Sequence, residues 1–230
     1  MSGAGASHYF SRVFGLILAA LGLLAAAPCA SAQSMSFHLE PLPDGSGCRS
    51  HCPNVIVAEG QIVNSTPQEF LNFLRENAAD KDLRTVVFLN SQGGYVVASM
   101  ELGQIFRRIG AATVVARLGA ASGRGRFRTS SCLSACVYAF MGGRKRVAPP
   151  GSALGIHRMF ANTEHTNMFG DSKSERVYDN GAMAGMLMNY SSRMGVSRDL
   201  IRFAEHISSQ SIHLVTPGEM ARWNLASRIF

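Results

Sequence analysis

Ser134 begins an apolar stretch and carries a hydroxyl that can act as a nucleophile in acyl transfer. A serine at the start of a helix lies in the positive field of that helix. The N–H of the next residue, Ala135, can then hold an oxygen that becomes negative during the reaction. An ordinary helix N-cap would look the same in sequence, and Cys132 or Cys136 is an alternative nucleophile.

His157 ends the short apolar segment 153–156. A histidine at the carboxyl end of a strand in an α/β fold faces the usual ligand crevice, where it can serve as general base toward a serine. A structural histidine is the alternative. No metal-ligand spacing links His157 with the other histidines of the sequence.

The third segment is the turn 90–94, which ends in Gly93 and Gly94 and joins a predicted strand to a predicted helix. Paired glycines let the backbone approach a ligand closely. An N–H at this position, beside a helix N-terminus, can bind the same developing negative charge. A plain strand-to-helix turn is the alternative interpretation.

The elements that would position these residues alternate between strands and helices. Apolar, β-branched runs predict strands, and apolar residues at helical spacing predict helices. Repeated β-then-α units indicate an α/β fold whose helices cover a mainly parallel sheet. The predicted strands are 55–63 (with a bulge or close approach at Gly60), 85–90, 112–116, 145–148 and 153–157, and the predicted helices are 66–78, 96–109, 134–141, 179–194, 199–206 and 216–225. Residues 33–53, 118–130 and 163–173 are predicted to be irregular.

Taken in order, these motifs resemble the proteolytic subunit of the Clp protease, within the wider Clp/crotonase-like group of serine peptidases. The resemblance begins near residue 55 and runs to about residue 229. The matching segments are 57–63 (first strand), 88–94 (oxyanion turn), 134–143 (nucleophile helix), 145–146 (a Lys-Arg pair), 152–157 (general base) and 216–225 (terminal helix).

The resemblance implies a fold class and a site. The fold would be α/β, a Clp/crotonase-like superhelix of repeated β-α units, with a helical handle region at 179–194 that mediates assembly into a homo-oligomer. Ser134 would be the nucleophile, His157 the general base, and the N–H groups of Gly94 and Ala135 the oxyanion hole. No cofactor and no metal is implied.

The acidic third member of the family's catalytic set has no clear counterpart. Alignment from either side places that position at Ala204 or Ile207, and neither is acidic. Glu205 lies between them and is our candidate, with Asp199 as a second choice. A Ser–His pair can function without an acid, because part of the acid's role is to orient the imidazole.

Residues 1–32 have the pattern of an export signal. Arg12 precedes an apolar run over residues 14–27, and Ala30-Ser31-Ala32 fits a small-x-small cleavage site that would leave Gln33 as the new terminus. The run is shorter than the roughly 20 residues that span a bilayer, which favours cleavage over a membrane anchor. We therefore predict a signal peptide at 1–32, an irregular segment at 33–54 and a Clp protease-like domain at 55–230.

Export also accounts for the cysteines. Cleavage removes Cys29 and leaves four disulfide candidates, Cys48, Cys52, Cys132 and Cys136. In an oxidising compartment an even count predicts two disulfides, and four cysteines allow three pairings. Zinc is the alternative, although C-x3-C spacing does not match a zinc ribbon.

Composition and charge limit the partners. The chain has 230 residues, 47% of them hydrophobic and 16% charged, which excludes a disordered protein. The net charge is +7, and residues 102–163 hold ten Lys/Arg and no acid. A solvated basic face, anionic substrates or an anionic membrane surface would each account for this asymmetry. Nucleic acid is not expected, because the chain is exported and has no interleaved aromatic residues for stacking.

Three functions follow as hypotheses. The first is a periplasmic or secreted serine endopeptidase that acts on peptides or unfolded protein without ATP, because the family's unfolding ATPases are cytoplasmic and would not meet an exported chain. The second is a non-catalytic assembly or binding module with the same fold. The third is a crotonase-like enzyme acting on thioesters, which would need coenzyme A outside the cytoplasm.

Overall fold

The computed structural model describes residues 33–42, 53–80, 82–119, 127–166, 172–178 and 181–229, of which 161–166 and 172–175 are described by backbone alone. These residues belong to one compact unit, Ala32–Phe230. The predicted signal peptide, Cys48 and Cys52, and part of the basic loop before Ser134 lie outside the described residues.

Strands and helices alternate along most of the chain, as predicted. The strands are β1 (Ser36–Pro41), β2 (Asn54–Glu59), β3 (Leu83–Asn90), β4 (Ala112–Val114), β5 (Arg117–Leu118), β6 (Phe127–Arg128), β7 (Ser131–Leu133), β8 (Lys145–Val147), β9 (Ala153–Ile156), β10 (Ala161–Thr166), β11 (Ser172–Val177) and β12 (His213–Leu214). The helices are α1 (Thr66–Glu76), α2 (Val96–Arg108), α3 (Cys136–Met141), α4 (Ala182–Arg193), α5 (Asp199–Ala204) and α6 (Pro217–Arg222).

The largest sheet has the order β1-β2-β3-β4-β8. Its strands β2, β3, β4 and β8 are parallel, and β1 pairs antiparallel with β2 at the edge. The parallel strands have fully buried apolar residues on both faces, which is typical of a sheet covered by helices. The mainly parallel α/β sheet predicted from the sequence is therefore present.

A second sheet, β12-β9-β7, meets the first at the end of β3. Ser91 forms a bridge with Cys132, in which the Ser91 N–H donates to Ser131 O over 2.9 Å and the Leu133 N–H donates to Ser91 O over 3.0 Å. This junction brings the turn after β3 against the segment that leads into α3. It thereby places two of the three predicted site segments side by side.

Helices α2 and α3 pack closely because glycines line their contact. A Cβ on Gly142 would overlap the backbone of Gly103, and a Cβ on Gly103 would overlap the Tyr190 hydroxyl. That hydroxyl donates a hydrogen bond of 2.7 Å to Tyr138 O, which ties α4 to α3. The nucleophile candidate thus precedes a helix that is held firmly in the core.

Two segments predicted to be irregular form strands instead. Residues 36–41 form β1, because Phe37 and Leu39 alternate with more polar residues and pack on the core over too short a stretch to stand out in sequence. Of the predicted loop 163–173, the described residues 163–166 and 172–173 belong to strands β10 and β11, which pair antiparallel. The short edge strand β12 was also missed.

The sequence Thr66-Pro67-Gln68-Glu69 predicts a capping box at the start of α1, and this prediction is wrong. Ser65 is the N-cap and makes no side-chain cap, and the Thr66 hydroxyl accepts from the Val63 N–H over 2.9 Å. A capping box is present at α6, where Thr216 and Glu219 each accept the other's backbone N–H. Thr66-Pro67 and Thr216-Pro217 look alike in sequence, so local pattern alone does not separate them.

Within the part of the chain that the structure describes, no helix combines the length and apolar character required to cross a membrane.

Candidate active site

Ser134 lies in a tight turn between β7 and α3, where its backbone has φ of 54°. This left-handed conformation is uncommon for an L-residue other than Asn or Asp and costs stability. The Ser134 N–H donates to Gly155 O over 2.7 Å, which anchors the turn to β9. The N-cap of α3 is Ala135 and no side chain caps the helix, so the reading of Ser134 as an ordinary N-cap is wrong.

A disulfide encloses this turn. The sulfurs of Cys132 and Cys136 lie at 2.01 Å, and both residues are completely buried. Neither sulfur is available as a thiolate, so the alternative of a cysteine nucleophile is wrong, and so is a zinc site on all four cysteines. Cys48–Cys52 is then the remaining intrachain pairing, and it lies outside the described residues.

The glycine turn touches Ser134 directly. A Cβ on Gly93 would lie 2.9 Å from Ser134 Cβ and 3.1 Å from Ala135 N, so only glycine allows this approach. The turn is held by Ile62, whose N–H donates to Gly93 O over 2.8 Å and whose carbonyl accepts from the Tyr95 N–H over 2.9 Å. The close approach predicted at Gly60 is a separate one, because a Cβ there would overlap the backbone of Gln33 and Ser34.

Two backbone N–H groups beside Ser134 have no acceptor among the described residues. They belong to Gly94 and Ala135, the two donors expected from the sequence. Ala135 is 0% exposed, and a buried N–H without a partner is rare in folded proteins. Their assignment as the oxyanion hole stays a prediction.

His157 follows β9, and its ring is turned toward a backbone carbonyl. Because β7 pairs with β9 in parallel, with Leu133 opposite Gly155, His157 lies two residues beyond the partner of Leu133. The ring is 7% exposed, and Nδ1 lies 2.7 Å from Arg158 O. A carbonyl can only accept, so Nδ1 carries the proton and Nε2 keeps a free lone pair. That is the tautomer a general base requires.

The Ser134 hydroxyl and the His157 ring share no hydrogen bond in the described residues. Their strands bring the two segments together, but the final contact is not closed. Catalytic hydrogen bonds are often long without substrate and tighten when it binds. Their assignment as nucleophile and base stays a prediction.

The candidate acids are paired with arginines. Glu205 Oε2 lies 3.4 Å from Arg158 Nε, and exposed Asp199 pairs with Arg202 over 2.6 Å. Hydrogen bonds from Arg202 and then Ser197 hold the Asp199 pKa below its usual value. Neither carboxylate is hydrogen-bonded to His157 in the described part of the chain, and the catalytic role of Glu205 stays a prediction.

A cleft of about 900 Å³ is lined in part by the glycine turn. It lies at the carboxyl ends of β2 and β3, where Glu59 and Arg117 form an ion pair of 2.9 Å. Gly93 and Gly94 line the cleft, whereas Ser134 and His157 do not. Of the candidate site, therefore, only the glycine turn lines the cleft. The sequence did not predict this ion pair: Glu59 lies within the predicted strand 55–63, and Arg117 directly follows the predicted strand 112–116.

No protein-family model matches the chain, and no curated protein sequence matches it. Solved structures do. A serine-to-alanine variant of the 1510-N membrane-bound stomatin-specific protease superposes with a TM-score of 0.50 and 17% identity, covering 75% of this chain and 78% of that one. A lysine-to-alanine variant of the same protease, in complex with a substrate peptide, gives 0.49 and 18% identity, with 75% and 74% covered. ClpP1 from Listeria monocytogenes gives 0.47 and 15%, with 75% and 88% covered.

At this level of identity the similarity concerns the fold. It agrees with the mixed α/β architecture. The prediction from the sequence motifs is confirmed at that level: the chain has a Clp protease-like, crotonase-like α/β fold.

Proposed function

We propose that the chain is an exported serine peptidase that hydrolyses peptide bonds in peptides or unfolded protein without ATP. One observation carries the proposal. Ser134 stands in a strained left-handed turn, between two backbone N–H groups that have no acceptor among the described residues. Strained residues and partnerless donors cluster at active sites, because both are retained only where the chemistry uses them.

The proposed reaction is acyl transfer. Ser134 Oγ attacks the substrate carbonyl carbon while His157 Nε2 takes the hydroxyl proton. The carbonyl oxygen becomes negative and is held by the N–H groups of Gly94 and Ala135. The peptide C–N bond then breaks, and the amine leaves with the proton from His157. Water attacks the acyl-enzyme by the same steps in reverse and releases the free acid.

Assembly into a homo-oligomer through the handle region belongs to the same proposal. The methionines on and after α4 differ in exposure: Met186 is 44% exposed, Met183 and Met188 are half-buried, and Met194 is buried. Exposed methionine suits an adaptable interface, whereas Met194 belongs to the core. Helix α4 can therefore supply an assembly surface on one face while it packs on the core with the other.

A non-catalytic binding module is the second candidate. It is favoured by the missing Ser134–His157 hydrogen bond and by the missing carboxylate on the His157 ring within the described residues. A protein of this kind would keep the fold and bind peptides without turnover.

A fluorophosphonate probe tests the proposal. Such a probe reacts with an activated serine: the Oγ–P bond forms, the P–F bond breaks, fluoride leaves and the base takes the proton. We expect labelling of the wild-type chain at Ser134, located by mass spectrometry of the labelled peptide. Ser134→Ala should abolish labelling, and His157→Ala should slow it by roughly 10²–10⁴-fold, the usual contribution of a general base.

Peptide turnover separates the two candidates. Cleavage of an unstructured protein such as casein, without ATP and lost in Ser134→Ala, would exclude the binding module. Folded wild-type protein with the Cys132–Cys136 disulfide intact that takes up no label would overturn the peptidase.

A further inference from the structure

Arg158 lies directly behind the proposed base, and its backbone does what an acid does in related catalytic sets. Its carbonyl oxygen accepts from His157 Nδ1 over 2.7 Å. We propose that Arg158 is the positioning residue of the site, that its carbonyl replaces the orienting acid, and that Glu205 and Tyr178 hold it in place. This inference rests on the proposed peptidase function.

Three contacts from two segments, the stretch after α5 and the residue after β11, fix Arg158. Its N–H donates to Ile207 O over 3.0 Å, which joins the loop after β9 to the segment after α5. Its guanidinium Nε lies 3.4 Å from Glu205 Oε2. Its Cζ lies 4.6 Å from the centre of the Tyr178 ring, within cation–π distance. These contacts hold the N–H and the side chain of Arg158, and in our proposal they thereby fix the direction of its carbonyl, which orients the imidazole.

The end of β11 closes the other side of this loop. The Tyr178 hydroxyl lies 2.8 Å from Ser209 Oγ, and an Arg176 guanidinium nitrogen donates to the same oxygen over 3.3 Å. The Arg176 guanidinium also lies over the Phe160 ring, 4.7 Å from its centre. The loop after β9 is therefore held between β11 and the loop around Ser209, with Arg158 as the residue that both sides contact.

Charge explains why Glu205 belongs to this network although it does not reach the ring. Attack by Ser134 turns His157 into an imidazolium, and an uncompensated guanidinium one residue away would oppose that charge. Glu205 cancels the guanidinium charge at 3.4 Å. It therefore acts through Arg158, and its side chain is 30% exposed, so solvent screens part of the effect.

The test measures how fast a fluorophosphonate probe labels Ser134, separated into the maximal rate of inactivation and the half-saturating concentration. Arg158→Ala and Glu205→Gln should each lower the maximal rate by roughly tenfold or more, a part of the 10²–10⁴-fold that general-base catalysis contributes. The half-saturating concentration should not change, because the probe does not contact either residue. Arg158→Lys, which keeps the charge but loses the planar contact with Tyr178, should lie between Arg158→Ala and wild type.

A charge swap separates positioning from simple loss of packing. The double variant Arg158→Glu with Glu205→Arg keeps the carbonyl and restores an opposite-charge pair, so it should recover much of the rate that either single change loses. Arg198→Ala is the matched control: Arg198 is exposed at the start of α5 and binds Ser192 Oγ over 2.7 Å, and this variant should react like wild type.

The outcomes distinguish the two proposals. If wild type is labelled and both Arg158→Ala and Glu205→Gln react at the wild-type rate, the positioning role is overturned and the peptidase stands. If the singles are slow but the charge swap restores nothing, the positioning role is also overturned. If folded wild type is not labelled at all, the peptidase fails and this inference fails with it. Should Arg158→Ala not fold, Glu205→Gln and Arg158→Lys decide the question.

Discussion

Ser134 carries the hydroxyl that the proposed reaction uses. Its left-handed backbone conformation, however, lowers the stability of the fold. A φ of 54° brings Cβ close to the following carbonyl, which costs about 1–2 kcal/mol for a residue with a side chain. The disulfide and the Ser134 N–H bond to Gly155 hold the turn in this conformation. The strain therefore persists because neighbouring contacts determine the turn.

Replacing Ser134 by glycine should stabilise the fold relative to replacing it by alanine. Both changes remove the hydroxyl, but only alanine keeps the Cβ that the left-handed turn disfavours. We expect Ser134→Gly to be more stable than Ser134→Ala by about 1 kcal/mol. Urea denaturation, followed by the fluorescence of the single buried tryptophan, Trp223, measures the difference.

Ser131 provides the control for that comparison, because it lies in strand β7. There glycine should be less stable than alanine by about 0.5–1 kcal/mol, the opposite sign. An equal stability of Ser134→Gly and Ser134→Ala would show that the turn carries no strain.

At the residue scale, the sequence identified the neighbours of the site but not their contacts. The glycine pair, Ser134 and Ala135 could be selected because strand-to-helix turns favour such residues. Arg158 could not be selected, because its carbonyl is the part that binds His157 and every residue has a carbonyl. A role carried by the backbone leaves no signature in residue type.

At the scale of elements, Arg146 joins the carboxyl ends of three helices. Its guanidinium donates to Gly143 O after α3, Met194 O after α4, and Asn224 O and Leu225 O after α6, over 2.8–3.1 Å. Burial, and to a smaller extent the charge of Arg107, lower the pKa of Arg146 to about 10. The group is still charged at neutral pH, so it complements the negative ends of all three helices.

Arg146→Met should destabilise the protein by about 3–5 kcal/mol, the usual result when one partner of a buried charged network is removed. Methionine keeps most of the volume, but several carbonyls lose their donor. Arg146→Lys should lose less, because it keeps the charge while it cannot reach all four oxygens in one plane. Trp223 fluorescence in urea again measures the change.

Arg202→Met is the comparison at an exposed ion pair with Asp199. It should shift stability by no more than about 1 kcal/mol. A loss at Arg146 no larger than this one would contradict the role of Arg146 as a common cap.

The elements themselves were largely predictable where apolar periodicity is long. Helix α2 and strand β3 each carry enough buried residues to set a period. Strands β1 and β12 and the β10–β11 hairpin could not be predicted, because they are short or polar and are formed by pairing with distant partners. The predicted parallel sheet survives these errors because its strands are buried on both faces.

At the scale of the whole molecule, one disulfide would link the proposed export to the proposed site. The Cys132–Cys136 bond closes a ring around the proposed nucleophile, and such a bond forms in oxidising compartments and not in a bacterial cytoplasm. A chain that stays in the cytoplasm would therefore fold with the thiols of Cys132 and Cys136 reduced. We propose that export, through this bond, makes the site competent.

Exported protein should therefore begin at Gln33, contain the Cys132–Cys136 disulfide and label at Ser134, whereas chain produced in the cytoplasm without residues 1–32 should be reduced and label more slowly.

For cysteines four positions apart, loop closure predicts that the bond contributes about 2 kcal/mol to stability. The double variant Cys132→Ala with Cys136→Ala should lose that stability and most of the labelling rate, because the left-handed turn at Ser134 is then held by fewer contacts. Cys48→Ala with Cys52→Ala is the matched control, since it removes the other cysteine pair and leaves this ring intact. N-terminal peptide mapping, thiol alkylation and the rate of fluorophosphonate labelling measure the three outcomes. Equal labelling rates in the two double variants would show that the Cys132–Cys136 disulfide does not contribute to the reactivity of Ser134.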